Sequence, residues 1–136
     1  METNHIRVLL VDDEPAVRRG LRMQLELEPD ITVVGEADDG ERVIEQAVAS
    51  GADLVVMDVQ MRVVDGIAAT VALRRERPAL PVVILSLHDS LRMRSAAHAA
   101  GARAFVSKHE PAGVLLATIR RVANELPRES DERTHE

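Results

Sequence analysis

The sequence predicts a single α/β domain, a doubly wound five-stranded parallel sheet with five helices that cover both of its faces. Five short apolar runs rich in β-branched residues recur along the chain, and continuous apolarity is typical of strands buried on both faces. The segments between the runs have helical spacing, and such alternation implies parallel strands joined by right-handed crossovers. The chain has 136 residues, which suits one domain with its own core.

The apolar runs are short and are flanked by Pro, Gly and Asp residues, which favours strands over buried helices. Phe105 is the only Phe, and Trp and Tyr are absent, so the core of the sheet must be built from aliphatic side chains. The predicted strands cover residues 8–11, 31–34, 54–57, 82–85 and, with a weaker pattern, 104–106.

Helix signals occupy the segments between these strands. Apolar residues at every fourth position from Val17 to Leu25 predict a first helix that ends before Pro29. A stripe that starts at Val43 predicts a second helix that ends at Gly51.

The last three helices each have signals at both ends, and the fifth is amphipathic. The apolar face of the third helix is predicted to contain Ile67, Ala68 and Val71. The terminus signals are Asp65 and Pro78 for the third helix, Ser90 or Asp89 and Gly101 for the fourth, and Pro111 and Pro127 for the fifth.

Composition excludes several classes of protein. The net charge is −6 and there is no Trp or Tyr, so the chain lacks the basic surface and the stacking aromatics of a nucleic-acid binder. The absence of cysteine excludes disulfides and thiol chemistry. Neither a membrane span nor a signal peptide is recognisable. We therefore expect a cytoplasmic protein that does not itself bind nucleic acid or membrane.

Polar residues follow four of the five predicted strands. Asp12 and Asp13 follow the first, Asp58 the third and Ser86 the fourth, while the fifth leads to Lys108. Because ligands of open α/β sheets bind at the carboxyl ends of the strands, we expect these side chains to share one site. Clustered carboxylates favour Mg²⁺, and a carboxylate beside a metal and a lysine is suited to accept a phosphoryl group.

The motifs at these strand ends are Val11-Asp12-Asp13-Glu14, Met57-Asp58-Val59-Gln60-Met61 with Asp65-Gly66, Leu85-Ser86, and Ala104-Phe105-Val106-Ser107-Lys108. They resemble the receiver (CheY-like) domain of bacterial response regulators, over about residues 6–124, and four matched strand ends in the right order make the resemblance specific. The resemblance implies a flavodoxin-like fold with strand order 2-1-3-4-5. Three further stretches are most similar to receivers of the NarL/FixJ type: Val34-Gly35-Glu36-Ala37, Ser86-Leu87-His88-Asp89 and Ala100-Gly101-Ala102-Arg103-Ala104.

Carried over to matching positions, the resemblance makes Asp58 the phosphoacceptor. Asp13 and Asp58 would bind Mg²⁺ directly, together with the backbone carbonyl of Gln60, and Asp12 would contribute through water. Lys108 would pair with the phosphoryl group.

The resemblance also implies a conformational switch. Ser86 occupies the hydroxyl position that binds the phosphoryl group, and Phe105 occupies the aromatic position that moves with it. The chain departs from the family at Arg62, where proline is usual, and at His109, where many receivers have proline after the lysine.

Two regions are expected: a receiver domain over residues 1–126 and a polar tail or truncated linker over residues 127–136. NarL/FixJ-type proteins normally continue into a helix-turn-helix domain, and nothing after Lys108 resembles one. The resemblance therefore implies a phosphoacceptor signalling domain, not an enzyme on other substrates, that is phosphorylated by a sensor histidine kinase.

The output remains open at this point. One interpretation is a receiver derived from a transcriptional regulator, which dimerises on phosphorylation. The alternatives are a stand-alone receiver that acts only through protein–protein contacts, a pseudo-receiver that switches without phosphate, and a small Mg²⁺-dependent phosphatase. Such a phosphatase would need a cap domain or a long insertion, and the sequence has none of that size.

Overall fold

The computed structural model describes residues 5–61 and 64–125 and contains the predicted alternation of strands and helices. Neighbouring strands pair in parallel in the order β2-β1-β3-β4-β5. The predicted fold class and strand order are therefore confirmed. The elements are β1 (Ile6–Val11), α1 (Pro15–Glu26), β2 (Ile31–Ala37), a 3-10 helix (Gly40–Arg42), α2 (Val43–Ser50), β3 (Leu54–Met57), α3 (Gly66–Glu76), β4 (Val82–Ser86), α4 (Leu91–Ala100), β5 (Ala104–Ser107) and α5 (Ala112–Glu125).

The continuous apolar runs are explained by burial on both faces of the sheet. In β1, Leu9 and Val11 pack into a core under α2, α3 and α4, whereas Val8 and Leu10 pack into a second core under α1 and α5. Successive side chains of a strand point to opposite faces, so the part of a strand that lies between two helix layers is apolar on both faces.

The ends of several elements differ from the sequence prediction. β2 extends to Ala37, and Ser86 is the last residue of β4 rather than the first residue beyond it. The end of α1 at Glu26, before Pro29, agrees with the prediction. At the start of α4, the Ser90 hydroxyl accepts a hydrogen bond from the Met93 backbone NH at 3.1 Å, which decides between the two predicted caps.

The predicted apolar face of α3 is wrong. Ala68 and Val71 are exposed and Ile67 is half-buried, whereas the buried residues are Gly66, Ala69, Thr70 and Leu73. These positions follow the i, i+3, i+4, i+7 spacing of one helical face. The Thr70 hydroxyl donates to the Gly66 carbonyl at 2.7 Å, which satisfies a polar group in the core. A search for large apolar residues misses this face, because only one of its four buried residues is large and apolar and one is a threonine with a hydrogen-bonded hydroxyl.

Three of the sequence expectations concern residues outside the described ranges: Arg62, the end of the domain at residue 126, and the tail over 127–136. Within the described ranges, the peptide bond between Lys108 and His109 is trans, as are the others. None of the helices described is both long and apolar enough to span a membrane.

Candidate functional site

The backbone brings the predicted site residues to one edge of the sheet. The Asp58 NH donates to the Val11 carbonyl at 2.9 Å, and the Lys108 NH donates to the Ser86 carbonyl at 2.8 Å. The Asp12 NH donates to the carbonyl of Ala37, at the end of β2, at 3.1 Å. Each residue just beyond a strand is therefore still held by the neighbouring strand. Consequently, the side chains that follow β1, β3 and β5 converge beside the end of β4.

Three carboxylates meet at this edge. Asp12 is 2% exposed and Asp58 is 8% exposed, while Asp13 is half-buried. One oxygen of each carboxylate lies within 4.8 Å of the others. Three hard oxygen donors at this separation fit the ligand preference of Mg²⁺. The acids that were predicted to form a metal site do form one cluster.

Lys108 provides the positive charge inside this cluster. Its Nζ lies 3.1 Å from Asp12 Oδ2 and 3.7 Å from Asp58 Oδ1, and its side chain is 15% exposed. An ammonium group in this position partly neutralises two buried carboxylates, which otherwise repel each other.

Asp12 is held by donors from several parts of the chain. The Glu14 NH donates to Asp12 Oδ1 at 3.0 Å, and the Arg18 guanidinium donates to the Asp12 backbone carbonyl at 2.5 Å. Together with Lys108 at Oδ2, these contacts engage both carboxylate oxygens and the carbonyl. The Glu14 contact belongs to the turn that enters α1, so Asp12 supports that turn and also forms part of the acidic cluster.

Asp58 is less well compensated. Burial raises the pKa of its carboxyl group, the Lys108 ammonium opposes this, and the neighbouring Asp12 and Asp13 carboxylates raise the pKa further. Its Oδ1 also accepts a long hydrogen bond of 3.4 Å from the Gln60 NH. The ionised form of Asp58 is thus destabilised by its surroundings, and a bound cation would relieve that cost.

The turn after Asp58 explains the Asp65-Gly66 pair. The Gly66 NH donates to the Val59 carbonyl at 2.8 Å, and a Cβ at position 66 would overlap the Asp58 carbonyl oxygen. The Asp65 side chain accepts a hydrogen bond from the Ala68 NH at 2.8 Å and caps α3. Only glycine allows the start of α3 to lie this close to the backbone of Asp58.

Ser86 and Phe105 lie in adjacent strands. Ser86 is fully buried, and its hydroxyl accepts a hydrogen bond from the His88 NH at 3.1 Å. Phe105 is opposite Ile84 in the parallel register, so the side chains of Phe105 and Ser86 point to the same face of the sheet. The ring of Phe105 is half-buried, and the Arg94 guanidinium lies over it at 4.7 Å from the centroid.

Two arginines that contact site residues were not predicted from the sequence. Arg18 reaches the Asp12 carbonyl from α1, and Arg94 covers Phe105 from α4. The only sequence signal is a basic residue one helical turn after the start of each helix, and many surface arginines share that property. Of the predicted residues, Gln60 contacts Asp58 through its NH, and metal binding by its carbonyl stays a prediction.

The chain is similar in sequence to a known family and to individual response regulators. Residues 8–120 match the family described as the response regulator receiver domain. The nitrate/nitrite response regulator protein NarP of Escherichia coli (strain K12) is 36% identical over 119 residues, which cover 88% of this chain and 55% of NarP. The transcriptional regulatory protein LiaR of Bacillus subtilis (strain 168) is 37% identical, and the match covers 92% of this chain and 70% of LiaR.

A solved structure shows the same architecture. The two-component response regulator of the LuxR family from Aurantimonas sp. SI85-9A1 superposes with a TM-score of 0.87 at 31% identity, covering 90% of this chain and 88% of that chain. This chain spans about half the length of several curated relatives that it matches. The family match extends over most of the sequence. The chain therefore belongs to the receiver domains of two-component response regulators, of the NarL/FixJ type.

Proposed function

We propose that this receiver accepts a phosphoryl group on Asp58 from a sensor histidine kinase in the cytoplasm. The observation that carries the proposal is the charge arrangement at the sheet edge. Asp58 lies in a cluster of three carboxylates, with the Lys108 ammonium between it and Asp12. This arrangement supplies a nucleophile, ligands for a divalent cation and a positive charge for the phosphoryl oxygens.

In the proposed step, one carboxylate oxygen of Asp58 attacks phosphorus of a phosphohistidine on the kinase. A P–O bond forms and the P–N bond breaks, and the imidazole nitrogen leaves with the electron pair. The product on Asp58 is an acyl phosphate. Lys108, whose Nζ lies 3.7 Å from Asp58 Oδ1, would stay next to the transferred group and interact with its oxygens.

Mg²⁺ would be held by the Asp13 and Asp58 carboxylates and the Gln60 carbonyl, with Asp12 acting through water. When bound, it neutralises charge that develops on the transferred phosphoryl group. The chain would act only on itself, through its own phosphorylation and dephosphorylation.

The response to phosphorylation would pass through Ser86 and Phe105. The Ser86 hydroxyl would donate to a phosphoryl oxygen, and Phe105 would move towards the space that Ser86 leaves. The output would be dimerisation or binding of a partner protein. LiaR is named as a transcriptional regulatory protein and NarP as a response regulator, and this supports an origin in a transcriptional regulator.

The test is incubation of the purified protein with Mg²⁺ and acetyl phosphate, followed by intact mass measurement. We expect a gain of one phosphoryl group in the wild type and none in Asp58→Asn. Asp38→Asn is a matched control, because Asp38 is an exposed acid that directly follows β2, and this variant should be labelled like the wild type. Undiminished labelling of Asp58→Asn would move the acceptor to another residue.

The switch is tested separately with Ser86→Ala. This variant should still accept the phosphoryl group but should fail to change its oligomeric state or partner affinity, because the contact that distinguishes the two states is gone. Light scattering with and without acetyl phosphate measures the response. A response as large as that of the wild type would show that coupling does not run through Ser86.

A further inference from the structure

Arg18 connects the acidic cluster to the neighbouring strand β2. Its Nη1 donates to the Asp12 backbone carbonyl at 2.5 Å, and its Nε donates to Glu36 in β2 at 2.7 Å. The side chain is only 17% exposed. One guanidinium therefore bridges the residue after β1 and the neighbouring strand β2.

The Asp12 carbonyl needs a donor of this kind. β1 ends at Val11, so the carbonyl of Asp12 lies beyond the strand, and Asp12 is 2% exposed. A buried carbonyl without a hydrogen bond is costly. The donor, Arg18, lies in α1, the helix that follows Asp12 and Asp13. This hydrogen bond ties α1 to the carboxyl end of β1.

The guanidinium is itself held in place. Glu36 accepts from Arg18 and also from Arg22, the latter at 2.6 Å. The hydrogen bond from Arg18 and, to a smaller extent, that from Arg22 lower the pKa of the Glu36 carboxyl group. Glu36 is therefore charged at neutral pH and anchors both arginines. The planar fork of arginine lets Nε and Nη1 bind different acceptors at once, and the single nitrogen of lysine is a poor replacement.

The hydrogen bond from Arg18 restrains the peptide unit that leads into Asp13. The Asp12 carbonyl and the Asp13 NH belong to one planar peptide unit, so holding the oxygen fixes the plane from which Asp13 projects. We propose that Arg18 is a positioning residue for the metal-binding acids and sets the affinity for Mg²⁺ through Asp12. The proposal rests on the proposed function insofar as it takes this cluster to be the magnesium site.

The test compares three variants by calorimetric titration with Mg²⁺ and by thermal unfolding. Arg18→Lys keeps a cation near Glu36 but should weaken Mg²⁺ binding by roughly tenfold, as is usual when support of a metal ligand is lost. Arg18→Ala should weaken it at least as much. Arg22→Ala is the matched control, because Arg22 shares Glu36 but not the contact with Asp12, and its Mg²⁺ affinity should equal that of the wild type.

A phosphorylation series with acetyl phosphate separates positioning from general damage. In Arg18→Lys, the Mg²⁺ concentration for half-maximal labelling rate should rise, while the maximal rate at saturating Mg²⁺ should stay near that of the wild type. Unchanged Mg²⁺ affinity in Arg18→Lys, or an equal loss in Arg22→Ala, would overturn the proposal. The titration requires no phosphorylation, so a wild type that binds Mg²⁺ without being labelled would refute only the phosphoacceptor assignment.

Discussion

The carboxyl edge of the sheet has two halves that are held in different ways. In the acidic half, at the ends of β1 and β3, Asp12 accepts a hydrogen bond from Glu14 in its own turn and is also held by Arg18 of α1 and by Lys108 after β5. In the opposite half, formed by β4 and β5, the hydrogen bond described for the Ser86 hydroxyl comes from its own loop. The Phe105 ring there is only partly buried and is covered by one arginine side chain.

This difference matches what the two halves are proposed to do. Groups that carry out phosphoryl transfer must be fixed in place before the reaction, whereas groups that report it need a second position to occupy. Lys108 belongs to both halves, because its side chain contacts the acids and its backbone NH is bonded to Ser86. It is also the only lysine in the sequence. We expect perturbations of the acidic half to cost more than perturbations of the β4–β5 half.

The largest effect is expected from Lys108→Met. Removing one partner of a buried charge cluster leaves the others uncompensated, and this typically costs about 3 kcal/mol or more. The unfolding free energy from denaturant titration should therefore fall by roughly that amount without Mg²⁺. Added Mg²⁺ should restore more stability than it adds to the wild type, because a second cation can replace the lost one.

Lys108→Arg is the matched control, since it keeps the charge and should lose less stability. Acetyl phosphate labelling should be severely slowed in Lys108→Met even at saturating Mg²⁺. An unfolding free energy like that of the wild type in Lys108→Met would show that the two buried carboxylates do not depend on this ammonium.

The next effect distinguishes the two neighbouring acids. Both carboxylate oxygens of Asp12 already accept hydrogen bonds within the protein, so Asp12 is suited to act through water, and Asp13 is the proposed direct ligand. Asp13→Asn should weaken Mg²⁺ binding by at least about tenfold, as expected for a direct ligand. Asp12→Asn should weaken it less but lower the melting temperature more. Calorimetry and thermal unfolding measure the two quantities, and the reverse order would exchange the proposed roles.

A smaller effect is expected from Asp58→Asn, and its sign depends on pH. Burial raises the pKa of Asp58 above its ordinary value of 3.8, so the ionised carboxylate destabilises the folded state at neutral pH. The amide removes that cost, and the melting temperature should rise by a few degrees, equivalent to about 1 kcal/mol in a domain of this size. The gain should be present above the raised pKa and disappear as the pH falls below 3.8.

Thermal unfolding across a pH series without Mg²⁺ checks this linkage. Asp38→Asn, at an exposed position, should show no comparable gain. A gain in Asp58→Asn that persists at low pH would mean that packing, not the charge, is responsible.

The charged residues of the acidic half could be predicted from the sequence, but the residue that holds them in place from α1 could not. Asp12, Asp13, Asp58 and Lys108 are predictable because the end of each strand in a parallel sheet is visible in the sequence. Arg18 is not, because local spacing suggests a helical pair with Glu14, four residues earlier, whereas the structure pairs it with Glu36 in β2.

The α3 face was missed for a related reason. Its buried positions include a glycine next to the Asp58 carbonyl and a threonine bonded to the preceding turn. Local hydrophobicity does not report either contact. Which residues of α3 are buried depends on how the helix packs against the rest of the fold, and only the three-dimensional structure shows this packing.

The smallest effect is expected in the β4–β5 half, from Arg94→Ala. An exposed or half-exposed cation–π contact contributes about 0.5–1 kcal/mol, so the unfolding free energy should change by no more than that. The arginine nevertheless covers the ring that is proposed to move, and its loss should make a second ring position accessible before phosphorylation.

Because Phe105 is the only aromatic residue other than histidine, selective ¹³C labelling of phenylalanine gives NMR signals from this ring alone. These signals should shift or broaden in unphosphorylated Arg94→Ala, whereas Arg92→Ala, at an exposed position of the same helix, should leave them unchanged. Identical spectra for Arg94→Ala and the wild type would mean that packing against the sheet, rather than Arg94, holds the ring, and that this half of the edge is as firmly fixed as the acidic half.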